Sequence, residues 1–242
     1  FGFDFHMILH GLAWSSSKKH CFEIKKLTLY KKILRKKIMK LYYAPESRAV
    51  RTAWLLYEMG LDFIIEKFYI GDPKMRTPEY LQKNPMGRVP LLEDGDLSIS
   101  ESTAIAQYLV ARYDSEGLFC PRSDSDEFPK YLQWMHFAEG MIMPPVNTIV
   151  VETILLPPEK RNDTNLTRAT KLLNRALAVL DNYLEGKDFL AGQFSAADTI
   201  TGHACIVTKS LGADLADKPN IRAYRKRLLE REALQKALDI KR

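Results

Sequence analysis

The sequence predicts an α/β N-terminal half followed by an all-helical C-terminal half. From residue 40 to residue 113, β-forming segments alternate with helical periodicity in the order β-α-β-α-β-β-α. Beyond residue 127 we find no strand alternation, and apolar residues recur at helical spacing. The polar stretch 114–126 indicates a linker. We therefore expect domains at residues 39–113 and 127–242, which suits a chain of 242 residues.

A β-α-β unit opens the first half. Residues 40–43 are rich in β-formers and predict the first strand. Ser47 is well placed as the N-cap of a helix over residues 48–59, which Gly60 ends. A second strand is predicted over residues 62–69. Because a β-α-β crossover joins neighbouring parallel strands, these first two strands should be parallel.

The rest of this half is predicted to add a short helical turn at residues 77–81, strands at 89–92 and 97–99, and a helix over 101–113. A turn between the last two strands makes them a hairpin. Pro90 cannot donate to a ladder, so it belongs at an edge or a special bend. The sheet is therefore expected to be mixed.

Five helices are predicted in the second half, at residues 128–151, 164–184, 195–210, 219–231 and 232–240. The first should bend or break near Pro144 and Pro145, because an interior proline removes a hydrogen bond and clashes with the preceding turn. The third opens with Ser195-x-x-Asp198, a variant of the capping box, which we assign to folding and not to catalysis.

Positive charge is concentrated at the start of the chain. Residues 1–38 carry nine of the 36 Lys and Arg residues and two of the 30 Asp and Glu residues, a net charge of +7. The remaining 27 basic and 28 acidic residues give −1. The body of the chain therefore gives no electrostatic support for nucleic-acid binding.

This basic segment, residues 1–38, leaves two interpretations open. Leu27, Tyr30 and Leu34 recur at helical spacing among the lysines, which is typical of an amphipathic helix on an acidic membrane or partner. The interpretation we favour is an extension outside the core fold, because Met39 lies directly before the first strand, where a natural start would fall. A secretory signal fits poorly, since the charge follows the apolar stretch.

The cysteines do not indicate a metal site or a disulfide framework. Cys21, Cys120 and Cys205 lie far apart, with no C-x-x-C pair and no His/Cys cluster. A reducing compartment fits this usage, so we expect a cytoplasmic protein. No apolar run approaches the ~20 residues that a membrane span requires.

Ser47 is the first candidate for chemistry. A hydroxyl that ends a strand and starts a helix lies beside the positive end of the helix dipole, where anions bind. That position would lower the pKa of a thiol, and the hydroxyl could donate a hydrogen bond to the thiolate. The plainer interpretation is a helix cap alone.

Two further pairs could bind a peptide-like ligand. A cis bond between Val89 and Pro90 would turn the Val89 N–H and C=O toward solvent, although the residues alone favour trans, since ~5–6% of such bonds are cis. Glu101 and Ser102 open a helix, where the N–H groups could take a carboxylate and Glu101 an ammonium. A plain helix start explains this second pair equally well.

The order and spacing of these elements resemble the glutathione transferase superfamily. The resemblance covers residues 39–240. It is carried by the stretches K-L-Y-Y-A-P-E-S-R-A-V-R-T-A-W-L-L, N-P-M-G-R-V-P-L-L-E-D-G, I-S-E-S-T-A-I-A-Q-Y-L and F-L-A-G-Q-F-S-A-A-D. The segment W-M-H-F-A-E-G-M-I-M-P-P is similar to the fourth helix of a bacterial and fungal, serine-type branch.

The resemblance implies a thioredoxin-like N-terminal domain that binds glutathione. Pro90 would be cis, with the Val89 backbone paired to the cysteinyl part of the ligand. Glu101 and Ser102 match the pair that holds the γ-glutamyl end, and Arg88 stands beside the ligand in the same loop. Glutathione would be a co-substrate, with no tightly bound cofactor and no metal.

The resemblance also implies a mechanism, in which glutathione thiolate attacks a small apolar electrophile or a peroxide. Ser47 matches the thiol-activating serine of the serine-type branches. Arg48 is the alternative, since a fixed cation also stabilises a thiolate. No cysteine lies near Ser47, so the chain does not resemble the cysteine-type branches that run thiol exchange.

The electrophile should bind between the two halves, against residues of the long helix such as Met135, Phe137 and Met141, because methionine suits a pliable apolar pocket. Ordinary core packing is the alternative for each of the three. A homodimer is implied by the resemblance. The rival to an enzyme is a non-catalytic glutathione-binding or interaction module, since fold does not fix function.

Overall fold

The first half of the protein is built on a four-stranded sheet in the computed structural model, which describes residues 38–211 and 213–240. The strands are β1 (Met39–Tyr43), β2 (Phe63–Lys67), β3 (Leu91–Asp94) and β4 (Leu97–Ser100), in the order β2-β1-β3-β4. β1 and β2 are parallel and the other two pairings are antiparallel, which confirms the mixed sheet. Both interpretations of the basic segment concern residues 1–38, of which residues 1–37 lie outside the described residues.

Helices cover both faces of this sheet. They are α1 (Ala49–Glu58), a 3₁₀ turn (Pro73–Arg76), α2 (Pro78–Lys83) and α3 (Ser102–Tyr113). Side chains alternate along β1, so Leu41 and Tyr43 join the main core with Trp54 of α1, whereas Tyr42 packs in a smaller cluster with Tyr80 of α2. The sheet is therefore a middle layer.

The third strand differs from expectation at its start. β3 begins at Leu91 and not at residue 89, and the Val89–Pro90 bond is cis, not the trans bond that the residues alone favoured. Pro90 has no N–H to give to a ladder. No hydrogen bond joins the Val89 N–H or C=O to another described residue. The backbone of Val89 is therefore free to bind a ligand.

The second half consists of helices and their connecting loops in its described residues, with one isolated β-bridge between Ala191 and Gln193. Its elements are α4 (Phe128–Phe137), a π turn (Ala138–Ile142), α5 (Met143–Val150), a second π turn (Val151–Leu155), a 3₁₀ turn (Pro158–Lys160), α6 (Asp163–Tyr183), a third π turn (Asp198–Gly202), α7 (His203–Ser210), α8 (Pro219–Leu229) and α9 (Glu232–Leu238). None of the helices in the described part of the chain has the length and apolar character that crossing a bilayer requires.

The long helix, which was predicted to bend or break near Pro144 and Pro145, continues past both prolines but is interrupted by a π turn just before them. α4, the first π turn and α5 follow one another without a gap, and the Met143 N–H bonds to the Ala138 carbonyl, five residues back. Pro144 lacks an N–H, and its ring would crowd the carbonyl one turn earlier in a regular helix. The wider π turn accommodates that crowding just before the proline.

The last helices dock onto the first half of the protein. The Tyr43 hydroxyl of β1 donates to the Ala237 carbonyl at 2.8 Å. Arg231 donates to both oxygens of Glu58, at 2.6 and 2.8 Å, and Glu58 also accepts from the Trp54 indole at 2.7 Å. A bidentate pair of this kind is directional as well as attractive, so it fixes the end of the chain against α1.

A buried carboxylate organises the start of the third π turn. One Asp198 oxygen accepts from the Leu190 N–H at 3.0 Å and from the Tyr224 hydroxyl at 2.7 Å. The other accepts from the Ser195 N–H at 2.8 Å and from its hydroxyl at 3.1 Å. Asp198 is fully buried. This geometry agrees with a role in folding, because the carboxylate ties three separate segments together.

We predict that Asp198→Ala lowers the free energy of unfolding by about 3–5 kcal/mol, because four donors then lose a charged acceptor in a buried site. Urea denaturation followed by circular dichroism measures the change. The matched control is Asp124→Ala, whose carboxylate pairs with Arg122 on the exposed surface. An Asp198→Ala protein as stable as the Asp124→Ala protein would contradict the prediction.

Candidate functional site

A cleft of about 1210 Å³ opens beside the carboxyl end of β1. The loop after β1 and the loop that holds Val89 form one side, and α5, α7 and the end of the chain form the other. Such a volume holds a small organic ligand with room to spare. The apolar residues that line its helical side include Met143, Val146, Val150, Ile206 and Val207.

Ser47 lines this cleft, at the turn that leads into α1. Its hydroxyl donates to the Ala44 carbonyl at 2.7 Å and accepts from the Ala49 N–H at 3.1 Å. The N-cap position belongs to Arg48, one residue later than expected, but the Ser47 oxygen still satisfies a free N–H of the first turn. To reach a thiolate, the hydroxyl must turn away from the Ala44 carbonyl.

The backbone before Ser47 is strained. Glu46 has φ of 62°, a left-handed conformation that a residue with a side chain seldom adopts. Strain of this kind persists where the surrounding structure over-determines it, and it is concentrated at ligand sites. The turn therefore holds Ser47 and Arg48 at the edge of the cleft.

The loop before Pro90 is pinned by its neighbours. The Tyr80 hydroxyl and the Asn84 amide each donate to the Arg88 carbonyl at 2.7 Å. Gly87 has φ of 58°, and a Cβ there would lie 2.6 Å from the backbone carbonyl oxygen of Met75, so the close packing requires glycine. Arg88 and Val89 both line the cleft. The unpaired backbone of Val89 is thereby presented to a ligand.

Glu101 and Ser102 lie at the start of α3, outside the lining of the cleft. Glu101 is exposed and has φ of 70°, so this second strained position also lies at a predicted ligand contact. Ser102 is buried, and its hydroxyl accepts from the Arg51 guanidinium at 3.1 Å. Arg51 is the link between this pair and the cleft.

Arg51 is the functional residue that the sequence analysis missed. Its side chain is fully buried. Nη1 donates to Glu139 at 2.5 Å and to Ser102 at 3.1 Å, and Nε donates to Nδ1 of His203 at 3.3 Å. Nη2 has no hydrogen-bond partner among the described residues. Arg48 completes the cluster by donating to the same Glu139 oxygen at 3.0 Å.

The signal for this cluster was weak but present. Arg51 stands among residues of α1 that are otherwise apolar at helical spacing, and it lies one turn after Ser47. Glu139 is likewise an acid within an apolar helical segment. A pair of opposite charges in two apolar faces suggests a buried ion pair, but the sequence does not say which charges meet.

Burial and neighbouring charges shift the pKa values of Arg51, Glu139 and His203. Burial lowers the pKa of Arg51, and Glu139 opposes that effect. Burial alone would raise the pKa of Glu139, but Arg51 and Arg48 outweigh it and hold the pKa below its usual value. Burial and the two arginines hold the pKa of His203 well below its usual value. Near pH 7 the cluster therefore has two positive charges, one negative charge and a neutral imidazole.

The three residues expected in the electrophile pocket do not line the cleft. Met135 is fully buried in the core, Phe137 packs against Trp134, and Met141 is exposed. From the same long helix, Met143, Val146 and Val150 line the cleft instead. For Met141 the π turn supplies the physical reason, because this residue lies within the turn, and one extra residue in a turn rotates the side chains that follow by about 100°. Met135 and Phe137 precede the turn, and both pack in the core, which is the alternative given for them.

Neither cysteine of the described residues lines the cleft. Cys205 is fully buried, and burial raises the pKa of its thiol to about 12. Burial also raises the pKa of Cys120, which is half-buried. Within the described ranges, no group of three or more His, Cys, Asp and Glu residues is arranged to hold a metal ion. Cys21 lies outside the described residues.

Comparison with known proteins identifies both halves of the chain. Residues 38–111 match the glutathione S-transferase N-terminal domain, and residues 142–232 match the glutathione S-transferase C-terminal domain. Glutathione S-transferase 4 of Zea mays is 31% identical over 191 residues, which cover 77% of this chain and 85% of the relative.

Solved structures agree in fold. A glutathione transferase from Methylococcus capsulatus has a TM-score of 0.73 at 31% identity and covers 83% of this chain and 97% of its own. The glutathione transferase URE2P6 from Phanerochaete chrysosporium, in complex with oxidized glutathione, has a TM-score of 0.74 at 27% identity, with 82% and 94% covered. These likenesses confirm the thioredoxin-like domain and the helical domain that the sequence predicted.

We predict that Glu139→Gln lowers the free energy of unfolding by about 3 kcal/mol. The change leaves the buried Arg51 guanidinium without its counter-charge, and the value lies at the low end for a broken buried pair because Glu139 is 33% exposed. Urea denaturation at pH 7 measures it.

The matched control is Glu66→Gln, which breaks a surface pair with Lys40 at 2.9 Å. Exposed pairs of this kind contribute ~0–1 kcal/mol. Equal losses in the two variants would mean that Glu139 does not stabilise a buried charge.

Proposed function

The chain belongs to the glutathione S-transferase superfamily, and from this premise we propose that it is an enzyme that joins the thiolate of reduced glutathione to small apolar electrophiles, with organic peroxides as a second class of substrate. One observation carries the proposal: Ser47, the free Val89 backbone and a cluster of net positive charge border a single cleft whose far wall is apolar.

The arrangement supports a placement for glutathione. The Val89 N–H and C=O pair with the cysteinyl unit, since neither has a partner among the described residues. The Ser102 hydroxyl and the first N–H groups of α3 receive the γ-glutamyl carboxylate, and Glu101 receives its ammonium group. Arg88, exposed at the rim, is available to the glycyl carboxylate.

Two groups are placed to activate the thiol, whose pKa is near 8.5 for a free cysteine. Ser47 donates a short hydrogen bond once its hydroxyl leaves the Ala44 carbonyl. Arg48 and Arg51 add a positive field that Glu139 cancels in part, so the cluster contributes one net positive charge. We propose that Ser47 contacts the sulfur and that Arg48 supports the charge from a greater distance.

The electrophile then binds against the apolar wall. Met143, Val146 and Val150 of α5 form this wall together with Ile206 and Val207 of α7. This wall favours a ligand with an alkyl or aryl body. It replaces the pocket that the sequence suggested, while keeping the methionine character expected there.

The alternative is a binding module that holds glutathione without activating it, because the fold alone does not fix the function. The hydrogen bond that the Ser47 hydroxyl donates to the Ala44 carbonyl favours this alternative, because the hydroxyl is then not directed at a thiolate. The two functions differ in one measurable quantity, the pKa of the bound thiol.

We predict that the thiol of bound glutathione ionises about 1–2 pH units below free glutathione, because Ser47 and the positive cluster both favour the thiolate. Ser47→Ala should raise this pKa by about one unit. The ultraviolet absorbance of the thiolate, followed from about pH 5 to 9 with saturating glutathione, measures it without a second substrate. A bound thiol that titrates as in water would support the binding module and end the enzyme proposal.

Two further variants, measured in the same titration, separate the role of Arg48 from that of Ser47 and provide a control. Arg48→Gln removes the nearer cation, so a rise larger than that of Ser47→Ala would assign the main role to Arg48. Ser115→Ala, an exposed serine in the linker, is the matched control and should leave the pKa unchanged. Glutathione affinity is measured in parallel by calorimetry, so that loss of binding is not mistaken for loss of activation.

We also propose a homodimer in the cytoplasm, as is typical of the superfamily. Sedimentation equilibrium of the full chain should give twice the mass of one chain at micromolar concentration. A mass that stays at one chain across the concentration range would contradict the dimer.

A further inference from the structure

His203 is a buried side chain that the proposed mechanism leaves without a role. It is 3% exposed, and what remains accessible lines the cleft together with Ile206 and Val207, which follow it on α7. Its ring accepts a hydrogen bond from Arg51, and Arg51 follows Ser47 by one helical turn along the chain. The ring is therefore close to the place where thiolate and electrophile would meet.

The hydrogen bond from Arg51 fixes the tautomer of this ring. A guanidinium has donors and no acceptor, so Nδ1 of His203 must offer a lone pair to Nε of Arg51, at 3.3 Å. The proton of the neutral ring is then on Nε2, at the opposite edge. The hydrogen bond at Nδ1 is the only one that the ring makes to a described residue, so Nε2 has no partner among them.

Protonation of Nδ1 is disfavoured by the same neighbours. An imidazolium would lose the bond from Arg51 and would place a third positive charge beside Arg51 and Arg48. Burial, with these two arginines, holds the pKa of His203 well below its usual value. The ring is therefore a neutral hydrogen-bond donor at pH 7 and a poor source of a transferable proton.

We propose that the Nε2–H of His203 donates a hydrogen bond to the carbonyl oxygen of the second substrate when that substrate is an α,β-unsaturated aldehyde or ketone. The inference rests on the proposed function, since it assigns a further residue of the same site. His203 thereby becomes a catalytic residue for one class of electrophile.

The chemistry of conjugate addition matches such a donor. The thiolate sulfur forms a bond to the β-carbon, and the electron pair of the carbon–carbon double bond moves toward the carbonyl, which becomes an enolate. Negative charge develops on that oxygen, where a fixed donor stabilises it more than it stabilises the neutral substrate. A proton from water then adds to the α-carbon, so the proton that the thiol lost to water is recovered.

A neutral imidazole is suited to this step more than to peroxide reduction. Peroxide cleavage releases an alkoxide that must take up a proton, which a neutral imidazole does not readily give. Polarising a carbonyl requires a hydrogen bond alone, and a neutral histidine performs that task in an isomerase of established mechanism. The apolar wall of Met143, Val146 and Val150 accommodates an alkyl chain.

The test compares two substrates with the full chain, trans-2-hexenal and benzyl chloride. Benzyl chloride reacts at a saturated carbon and contains no oxygen, so its reaction gains nothing from a donor to a carbonyl. In His203→Met the ratio of kcat/KM for hexenal to that for benzyl chloride should fall about 100-fold, the usual loss for one oxyanion donor. The thioether can still accept weakly from Arg51 but cannot donate. His203→Gln, whose amide both accepts and donates, should restore much of the ratio.

His136→Met is the matched control, because His136 is exposed near Gln107 of α3, and its ratio should equal that of the wild type. A fall of both rates in His203→Met with an unchanged ratio would overturn the inference and leave His203 as a support for Arg51. A wild type that uses benzyl chloride but not hexenal would overturn the inference alone. A wild type that uses neither, with an unshifted thiol pKa, would remove the proposed function itself.

A second measurement does not depend on the folding of a variant. A saturated 2-alkanone does not react with thiols, and its carbonyl stretch reports hydrogen bonding. With glutathione bound, the isotope-edited infrared band of 2-hexanone in the wild-type cleft should lie below that of the ketone in an apolar solvent. A band at the apolar-solvent position would contradict the donor.

Discussion

The site depends on one buried charge, the guanidinium of Arg51. A charge inside a protein costs several kcal/mol unless it is paired and hydrogen-bonded. Its partners come from three other elements: Ser102 from α3, Glu139 from the first π turn and His203 from α7. Pairing this one side chain therefore fixes the start of α3 and two helical segments of the second half relative to α1. Residues far apart in the sequence meet for this reason.

The same pairing sets the electrostatics of the cleft. Glu139 stays ionised because two guanidiniums outweigh the cost of its burial, and the imidazole of His203 stays neutral because the same two guanidiniums oppose its charge. The net charge of the cluster is therefore constant over the neutral pH range. A thiolate beside Ser47 would experience a steady positive field, and the short-range contribution of a hydroxyl adds to that field instead of competing with it.

The sequence was sufficient for the elements and insufficient for their contacts. The spacing of apolar residues, with Ser and Gly at the ends of the elements, located the β-α-β unit. The helix start at Glu101–Ser102 was predicted to within one residue. The cis Val89–Pro90 bond came from the resemblance, since local preference favours trans. The facing of the long helix could not be predicted, because a π turn changes the phase of every later side chain and is set by crowding at Pro144. The cluster around Arg51 was missed because the sequence does not show which residue pairs with a single charged residue on an apolar helix face.

Membership of the superfamily fixes the fold but not the chemistry, because the groups that would run the chemistry are few. The core would survive their replacement one at a time, and a binding module would result. One arginine contacts a residue of each proposed ligand site: Nη1 donates to Ser102, at the proposed glutathione site, and Nε donates to Nδ1 of His203, at the proposed electrophile site. Two sites that bias the same side chain are thermodynamically coupled, and the coupling is reciprocal. Bound glutathione that holds Ser102 in place would thus also hold Arg51, and through it the donor that faces the second substrate.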